Sequence, residues 1–182
     1  PGLGKVPERT IIEVCCNEQS RIGKRAPLGT KVDRITLADD FASAKGLAKA
    51  VDAIRDGPRT LVWFSLPCAA GSLWQGIGNK QSAGFQLNRQ WVVFSKLFRN
   101  LMKLCRVAVE RGAKIAVEWP RRCGLWKVRI VREYFTRLKL QYAHFDACAM
   151  GMRSSVASDM GKFVDKPWVI ATNDDTVHKA FS

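Results

Sequence analysis

The feature that most constrains the fold is the segment of residues 60–72, TLVWFSLPCAAGS. Its first half is almost entirely apolar or β-branched and then reaches Pro67, a pattern typical of a buried strand that stops at its carboxyl end. Cys68 follows the proline, and small residues follow the cysteine. Ligand sites in open α/β sheets lie at the carboxyl ends of the strands. The segment therefore predicts a central strand that places a thiol at a ligand-binding edge.

Further strand and helix patterns alternate along the chain. Apolar or β-branched runs predict strands at 10–16, 32–37, 114–120, 141–148 and 167–172. Apolar residues at helical spacing predict helices at 41–55, 89–111 and 124–140, and a long loop is expected at 73–88.

This alternation predicts an α/β fold with a mostly parallel, doubly wound sheet of about six strands and helices on both faces. A single domain is expected over residues 10–173, because 182 residues suffice for one hydrophobic core. We expect residues 1–9 to be a flexible N-terminal segment and residues 174–182 to be a polar C-terminal tail.

The charge balance indicates a polyanionic partner. Thirty Lys and Arg residues against sixteen Asp and Glu residues give a formal net charge of +14, with a pI near 9.9. Such an excess on one domain favours nucleic acid over an anionic membrane surface, and we favour DNA over RNA. A basic protein without such a partner is the alternative.

The cysteines and the lack of targeting signals predict an intracellular protein of the nucleus or cytoplasm. No apolar run approaches the roughly 20 residues needed to cross a bilayer. The six cysteines form no Cys-x-x-Cys pair, which favours reduced thiols. The candidate ligands for a zinc ion are Cys123, His144, Cys148 and His178. Their spacing matches no standard zinc-binding motif. We therefore predict no metal. The chain lacks an initiator Met, so it could be a processed protein, a trimmed one or a module cut from a longer polypeptide.

Three predicted strand ends carry chemistry: Glu13, Cys68 and Glu118. In a doubly wound sheet these ends converge on one edge. A thiol beside a carboxylate, facing a basic groove, suggests covalent attack on an electron-poor ring such as cytosine. A thiolate can add to C6 while a carboxylic group binds N3, which makes C5 nucleophilic.

The order of these motifs resembles that of the cytosine-C5 methyltransferase family. Pro67 and Cys68 correspond to its Pro-Cys strand end, Ser72 to the serine that follows, and Glu118 to the glutamate of its Glu-Asn-Val motif. The resemblance implies a Rossmann-like fold and methyl transfer from S-adenosylmethionine to cytosine in nucleic acid. It makes Cys68 the nucleophile, Glu118 the base-binding acid and Ser72 a phosphate or loop anchor. A recognition partner is expected, since no target-recognition domain fits within 182 residues.

The resemblance also implies two sets of binding residues. The cofactor is expected at the turn after the first strand and at two neighbouring strand ends, with Glu13, Cys15, Cys16, Asn17, Ser20, Asp39, Asp40 and Pro67. Nucleic-acid contacts are expected from Ser72, Trp74, Gln75, Asn79, Lys80, Arg121, Arg122 and Arg153.

Two other functions and several structural roles fit the same residues. The chain could be a non-catalytic nucleic-acid-binding module, or a thiol hydrolase that pairs Cys68 with His144. Cys68 could be a small buried apolar residue. Glu118 could form an ion pair with Arg121 or Arg122. The acids before the 41–55 helix could simply stabilise its N-terminus, and Trp119 and Trp126 could stack on bases or fill the core.

Overall fold

The computed structural model describes residues 7–72, 80–154 and 157–182, and the side chains of 80–86 and 157 are not described. The strands in these parts are β1 Arg9–Val14, β2 Thr30–Ile35, β3 Thr60–Phe64, β4 Lys114–Pro120, β5 Gln141–Asp146 and β6 Pro167–Thr172. The helices are α1 Arg21–Lys24, α2 Ala44–Asp56, α3 Lys80–Glu110, α4 Arg129–Arg137 and α5 Asp175–Ala180. None of these helices is long and apolar enough to cross a membrane.

The sheet is mixed, so the predicted mostly parallel, doubly wound arrangement is wrong. The strand order is β2-β1-β3-β4-β6-β5. Strands β1 to β4 pair in parallel, whereas β6 pairs antiparallel with both β4 and β5. Strand β6 is therefore the one that runs against the others. The strand patterns predict where strands lie but carry no information about their direction.

The reversal follows from the connection between β5 and β6, residues 147–166. Its ends are joined by a hydrogen bond from Ala147 N to Lys166 O, and Val164 N donates to Met152 O further along. The connection therefore folds back on itself as a hairpin extension. Without a crossover helix between them, two neighbouring strands can only pair antiparallel.

The helices cover the two faces of the sheet unequally. Helices α2, α3 and α4 pack on one face, in a single hydrophobic cluster with Ile12, Phe64, Val117 and Trp119 among others. On the other face Trp63 packs with Phe181, whose ring centroid lies 6.2 Å away, while Ile22 of α1 and Val177 of α5 complete a much smaller cluster. This second face holds Glu13 and Glu118, because side chains alternate along a strand.

Several element boundaries differ from the predictions. Strands β4 and β6 are confirmed as predicted, but the helix predicted at 124–140 is divided into a 3₁₀ turn, Gly124–Lys127, and α4. Helix α3 begins at Lys80, inside the predicted 73–88 loop, whose residues 73–79 lie outside the described part. The segment expected to be a polar tail forms α5, capped by Asp174, which accepts from Thr176 N and Val177 N. Of the expected flexible segment, residues 1–6 are not described and Arg9 begins β1.

Candidate functional site at the ends of strands β3 and β4

The ends of β3 and β4 meet at Ser65 and Glu118. Phe64 pairs with Val117 in the parallel ladder, so the next residue of each strand lies side by side. The Ser65 hydroxyl donates a 2.6 Å hydrogen bond to Glu118 Oε1. The indole Nε1 of Trp63 is buried on the same face, is close enough to lower the pKa of Glu118, and lacks full hydrogen-bond geometry to any acceptor in the described part of the chain. Glu118 is thus held in place but has few polar partners.

Cys68 lies three residues beyond Ser65, at the start of a short turn. It directly precedes the 3₁₀ turn Ala69–Gly71, and its side chain is half-buried against the main core. Its nearest ionisable neighbour is the buried Cys123 thiol, which interacts with it directly. No sequence pattern marks this partner, because Cys123 is 55 residues away and in no recognisable motif.

The environments of Cys68 and Glu118 shift their pKa values in opposite directions. Cys123 lowers the pKa of Cys68; burial opposes this, and the Lys166 ammonium lowers it further. Burial raises the pKa of Glu118, partly offset by Ser65, Trp63 and Lys166. The two shifts favour the thiolate form of Cys68 and the protonated form of Glu118 relative to free side chains.

Lys166 connects the two groups electrostatically. It closes the hairpin extension directly before β6, and its ammonium lies 4.5 Å from the ring centroid of Trp168. Because it lowers the pKa of both Cys68 and Glu118, both lie within its electrostatic reach. No hydrogen bond joins Cys68 directly to Glu118 in the described structure. Sequence reasoning missed Lys166, since nothing marks it within a polar connector.

A cavity opens beside the Cys68 turn. It has a volume of about 250 Å³ and lies between Pro67, Ala69 and Ala70 on one side and α3 on the other. Helix α3 contributes Val93 and Phe94 to its wall. The cavity is large enough for a planar ring and mostly apolar.

The predicted structural partners of Glu118 lie elsewhere. Arg121 is 3.5 Å from Asp146, Arg122 is exposed, and neither forms an ion pair with Glu118 in the described residues. Both therefore stay available on the surface as nucleic-acid contacts, which remains a prediction. Arg153 donates to Gly161 O at 2.7 Å and covers the ring of Phe163, so it belongs to the hairpin extension.

The remaining predicted nucleic-acid residues are only partly visible. Ser72 is half-buried at the end of the Cys68 turn, whereas Trp74, Gln75 and Asn79 lie outside the described residues, as does the side chain of Lys80. The two other tryptophans considered for stacking belong to the protein interior. Trp119 is 1% exposed and donates to Leu66 O, and Trp126 donates to Pro120 O.

The acids and the serine predicted for the cofactor are engaged within the protein. Glu13 is fully buried and accepts hydrogen bonds from Ser20 Oγ, Gly23 N and Arg34 Nε at 2.7 to 3.0 Å. Asp39 accepts from Thr36 N and pairs with Lys49 at 2.7 Å. Among the acids predicted to bind the cofactor, only Asp40 is exposed, with its carboxylate largely in contact with solvent.

The turn after β1 also differs from a cofactor-binding loop. Cys15 adopts a left-handed conformation with φ of 60°, Cys16 donates its thiol proton to Glu13 O, and Asn17 accepts from Gln19 N. No glycine occurs between the end of β1 and Gly23, so the turn lacks the residues that let a backbone approach a ligand closely. Pro67 lies at the neighbouring strand end. These residues do not fit S-adenosylmethionine.

His144, the predicted hydrolase partner of Cys68, lies away from this site. His144 is exposed on β5, which lies at the sheet edge with β6 and β4 between it and β3. It makes no contact with Cys68 that would support a hydrolase. No group of three or more potential metal ligands comes together within the described ranges.

Comparisons with protein-family models, with curated proteins and with solved structures found no match to this chain. Its chemistry must therefore be argued from its own residues.

Proposed function

We propose that this chain is a nucleic-acid-binding domain that captures a cytosine base at the ends of β3 and β4, with Cys68 as the nucleophile and Glu118 as the base-binding acid. One observation carries the proposal: Glu118 lies one residue beyond the last β3–β4 ladder pair, Cys68 lies in the turn that follows β3, and the Lys166 ammonium lowers the pKa of both. The family resemblance supports the same two roles.

The protonation states suit covalent capture. The lowered pKa of Cys68 favours its thiolate, and the raised pKa of Glu118 favours the carboxylic acid form that can donate a proton. The thiolate forms a bond to C6 of the ring, and the C5=C6 electron pair shifts toward N3 through C4. Glu118 gives its proton to N3, so the adduct is neutral and C5 becomes nucleophilic. The step needs no outside reactant.

The exposed side of α3 supports nucleic acid as the source of the base. Lys96, Arg99, Lys103 and Arg106 are exposed along this helix and form no ion pair in the described structure. Ten residues of helix span about 15 Å, which matches several successive phosphates. Lys96, Arg99 and Lys103 line a groove between α2 and α3, whereas an earlier part of α3 lines the cavity beside the Cys68 turn, so one helix carries both features.

Methyl transfer to C5 is the second half of the proposal, and only the family resemblance supports it. The residues predicted to hold S-adenosylmethionine do not form a site for it, so no step is derived through that cofactor. Titration calorimetry separates the two halves. Saturable binding of S-adenosylmethionine would support a methyltransferase. The absence of any heat of binding would leave base capture as the only part of the proposal.

Exchange of the cytosine C5 hydrogen tests base capture without any cofactor. In D₂O with a reductant, the wild-type protein should replace the H5 proton of cytosine in a single-stranded oligonucleotide, followed by loss of its NMR signal. Cys68→Ser and Glu118→Gln should each abolish exchange, because one removes the nucleophile and the other the proton donor. Cys148→Ser, a half-buried thiol outside the site, is the matched control and should retain it. Exchange that persists in Cys68→Ser would refute the proposed role.

A non-catalytic nucleic-acid-binding module is the second candidate, and the cationic side of α3 favours it independently of the thiol. It predicts binding that weakens steeply with salt, no H5 exchange, and unchanged affinity in Cys68→Ser. Charge reversal at Lys96 and Arg99 should weaken binding in either case.

A further inference from the structure

Two short turns of the same design pack against each other beside the candidate site. The first is Ala69–Gly71, directly preceded by Cys68, and the second is Gly124–Lys127, directly preceded by Cys123. Each cysteine thus occupies the same position relative to its turn. The two turns approach closely, and their cysteine side chains interact.

Glycines set how closely the turns approach. A Cβ on Gly71 would lie 2.7 Å from Leu125 N and 2.8 Å from Cys123 Sγ, and a Cβ on Gly124 would lie 3.2 Å from Gly71 O. A larger residue at position 71 would force the turns apart. The packing of backbone against backbone therefore brings the turns that Cys68 and Cys123 precede into direct contact, with Cys123 Sγ lying against Gly71.

The two thiols differ in accessibility. Cys68 is half-buried and within reach of Lys166, whereas Cys123 is 5% exposed. A small oxidant from solvent therefore meets Cys68 first, and Cys123 is the nearest thiol to the oxidised product. This is the arrangement of a reacting cysteine and a resolving cysteine.

We propose that Cys68 and Cys123 form a reversible disulfide when a hydroperoxide oxidises Cys68. The Cys68 thiolate attacks a peroxide oxygen, the O–O bond breaks, and a sulfenic acid and hydroxide form. Cys123 then attacks the Cys68 sulfur, the S–O bond breaks, and water leaves as the disulfide forms. In sum, two thiols are oxidised and hydrogen peroxide is reduced to two waters. A dithiol reductant restores both thiols.

The other thiols lack this arrangement. Cys15 and Cys16 are adjacent in the chain, but burial raises the pKa of both thiols, and Cys16 donates to Glu13 O. Cys105 is completely buried, and its pKa is raised for that reason. Oxidation should therefore be selective for the pair beside the site.

The consequence is a covalent modification that removes the only nucleophile of the candidate site. The inference needs only the two thiols and goes beyond the proposed function. If Cys68 also captures cytosine, the disulfide would switch that reaction off until it is reduced.

Peptide mapping after oxidation tests the disulfide directly. The reduced protein is treated with stoichiometric hydrogen peroxide, blocked with iodoacetamide and digested with trypsin without reduction. The expected product links the peptide of residues 60–80 to that of residues 123–127, and dithiothreitol separates them. Cys68 should lose its free thiol at least about tenfold faster than Cys148, because a thiolate is the reacting species.

Two variants keep the test decisive. In Cys123→Ser the linked peptide should vanish, and a sulfenic acid on Cys68 should be trapped by dimedone. Cys148→Ser should form the link at the wild-type rate. Equal oxidation of Cys68 and Cys148, or a disulfide to another cysteine, would overturn the inference. Disulfide formation without H5 exchange would refute only the proposed function, and exchange without disulfide formation would refute only this inference.

Discussion

Two carboxylates, Glu13 on β1 and Glu118 on β4, lie on the same face of the sheet and differ in what surrounds them. Glu13 aligns with Trp63 and Ala116 across the ladder, so Glu118 lies two residues, about 7 Å, nearer the carboxyl edge. Glu13 is fully buried and receives hydrogen bonds from three donors, one of them Arg34. In the described structure Glu118 receives one, from Ser65, and forms no ion pair.

The difference in hydrogen bonding distinguishes a carboxylate that stabilises the fold from one that could react with a ligand. Glu13 ties α1 and β2 to β1, because its partners come from both elements and from the turn between β1 and α1. Glu118 has the raised pKa and the spare acceptor that a base-binding acid needs. A glutamate at a strand end therefore says little until its partners are known.

The largest expected effect is on stability, from isosteric substitution of the two acids. Glu13→Gln should lower the free energy of unfolding by about 3 kcal/mol, because an amide cannot accept from Ser20, Gly23 and Arg34 together and leaves Arg34 without its counter-charge. Glu118→Gln should cost less than about 1 kcal/mol, because the amide oxygen can still accept from Ser65. Urea denaturation measures both.

Glu133→Gln is the matched surface control for that comparison. Glu133 pairs with Arg129 at 3.8 Å, and both side chains are largely exposed, so its loss should change stability by less than about 0.5 kcal/mol. Equal destabilisation by Glu13→Gln and Glu118→Gln would remove the distinction between the two acids.

A smaller effect is expected in the pH dependence of stability. Burial raises the pKa of Glu118 in the folded protein, so between about pH 4.3 and that raised value the native state binds more protons than the unfolded chain. The contribution of Glu118 to the free energy of unfolding is therefore fully present at low pH and is lost as the pH rises through this window. The urea midpoint of wild type relative to Glu118→Gln should fall as the pH rises above about 4.3. A constant difference would show that Glu118 titrates normally.

Sequence reasoning found the two strand ends of this site but only half of its members. The apolar runs before Pro67 and Pro120 predict β3 and β4 because such runs report burial directly. Cys68 and Glu118 could be singled out because each ends a strand. Cys123 and Lys166 could not, since tertiary packing of distant turns brings them in and no local pattern records it.

The direction of β6 was unpredictable for a related reason. Strand propensity is the same for parallel and antiparallel pairing, and direction depends on whether a connection crosses the sheet or folds back. Residues 147–166 look like a polar connector in either case. Their folding back also brings Lys166 toward Cys68, so the error in topology and the missed residue have one origin.

The smallest effect comes from the serines that contact the two acids. Ser20→Ala leaves Glu13 with Gly23 N and Arg34, whereas Ser65→Ala leaves Glu118 without a hydrogen bond. Each should cost about 0.5 to 1 kcal/mol, so stability alone will not separate them. The pH dependence of stability should separate the two variants. The Ser65 hydroxyl lowers the pKa of Glu118, so its removal should raise that pKa and extend the loss of stability to higher pH, while Ser20→Ala should leave the pH profile unchanged. Parallel profiles for the two variants would mean that Ser65 does not control the ionisation of Glu118.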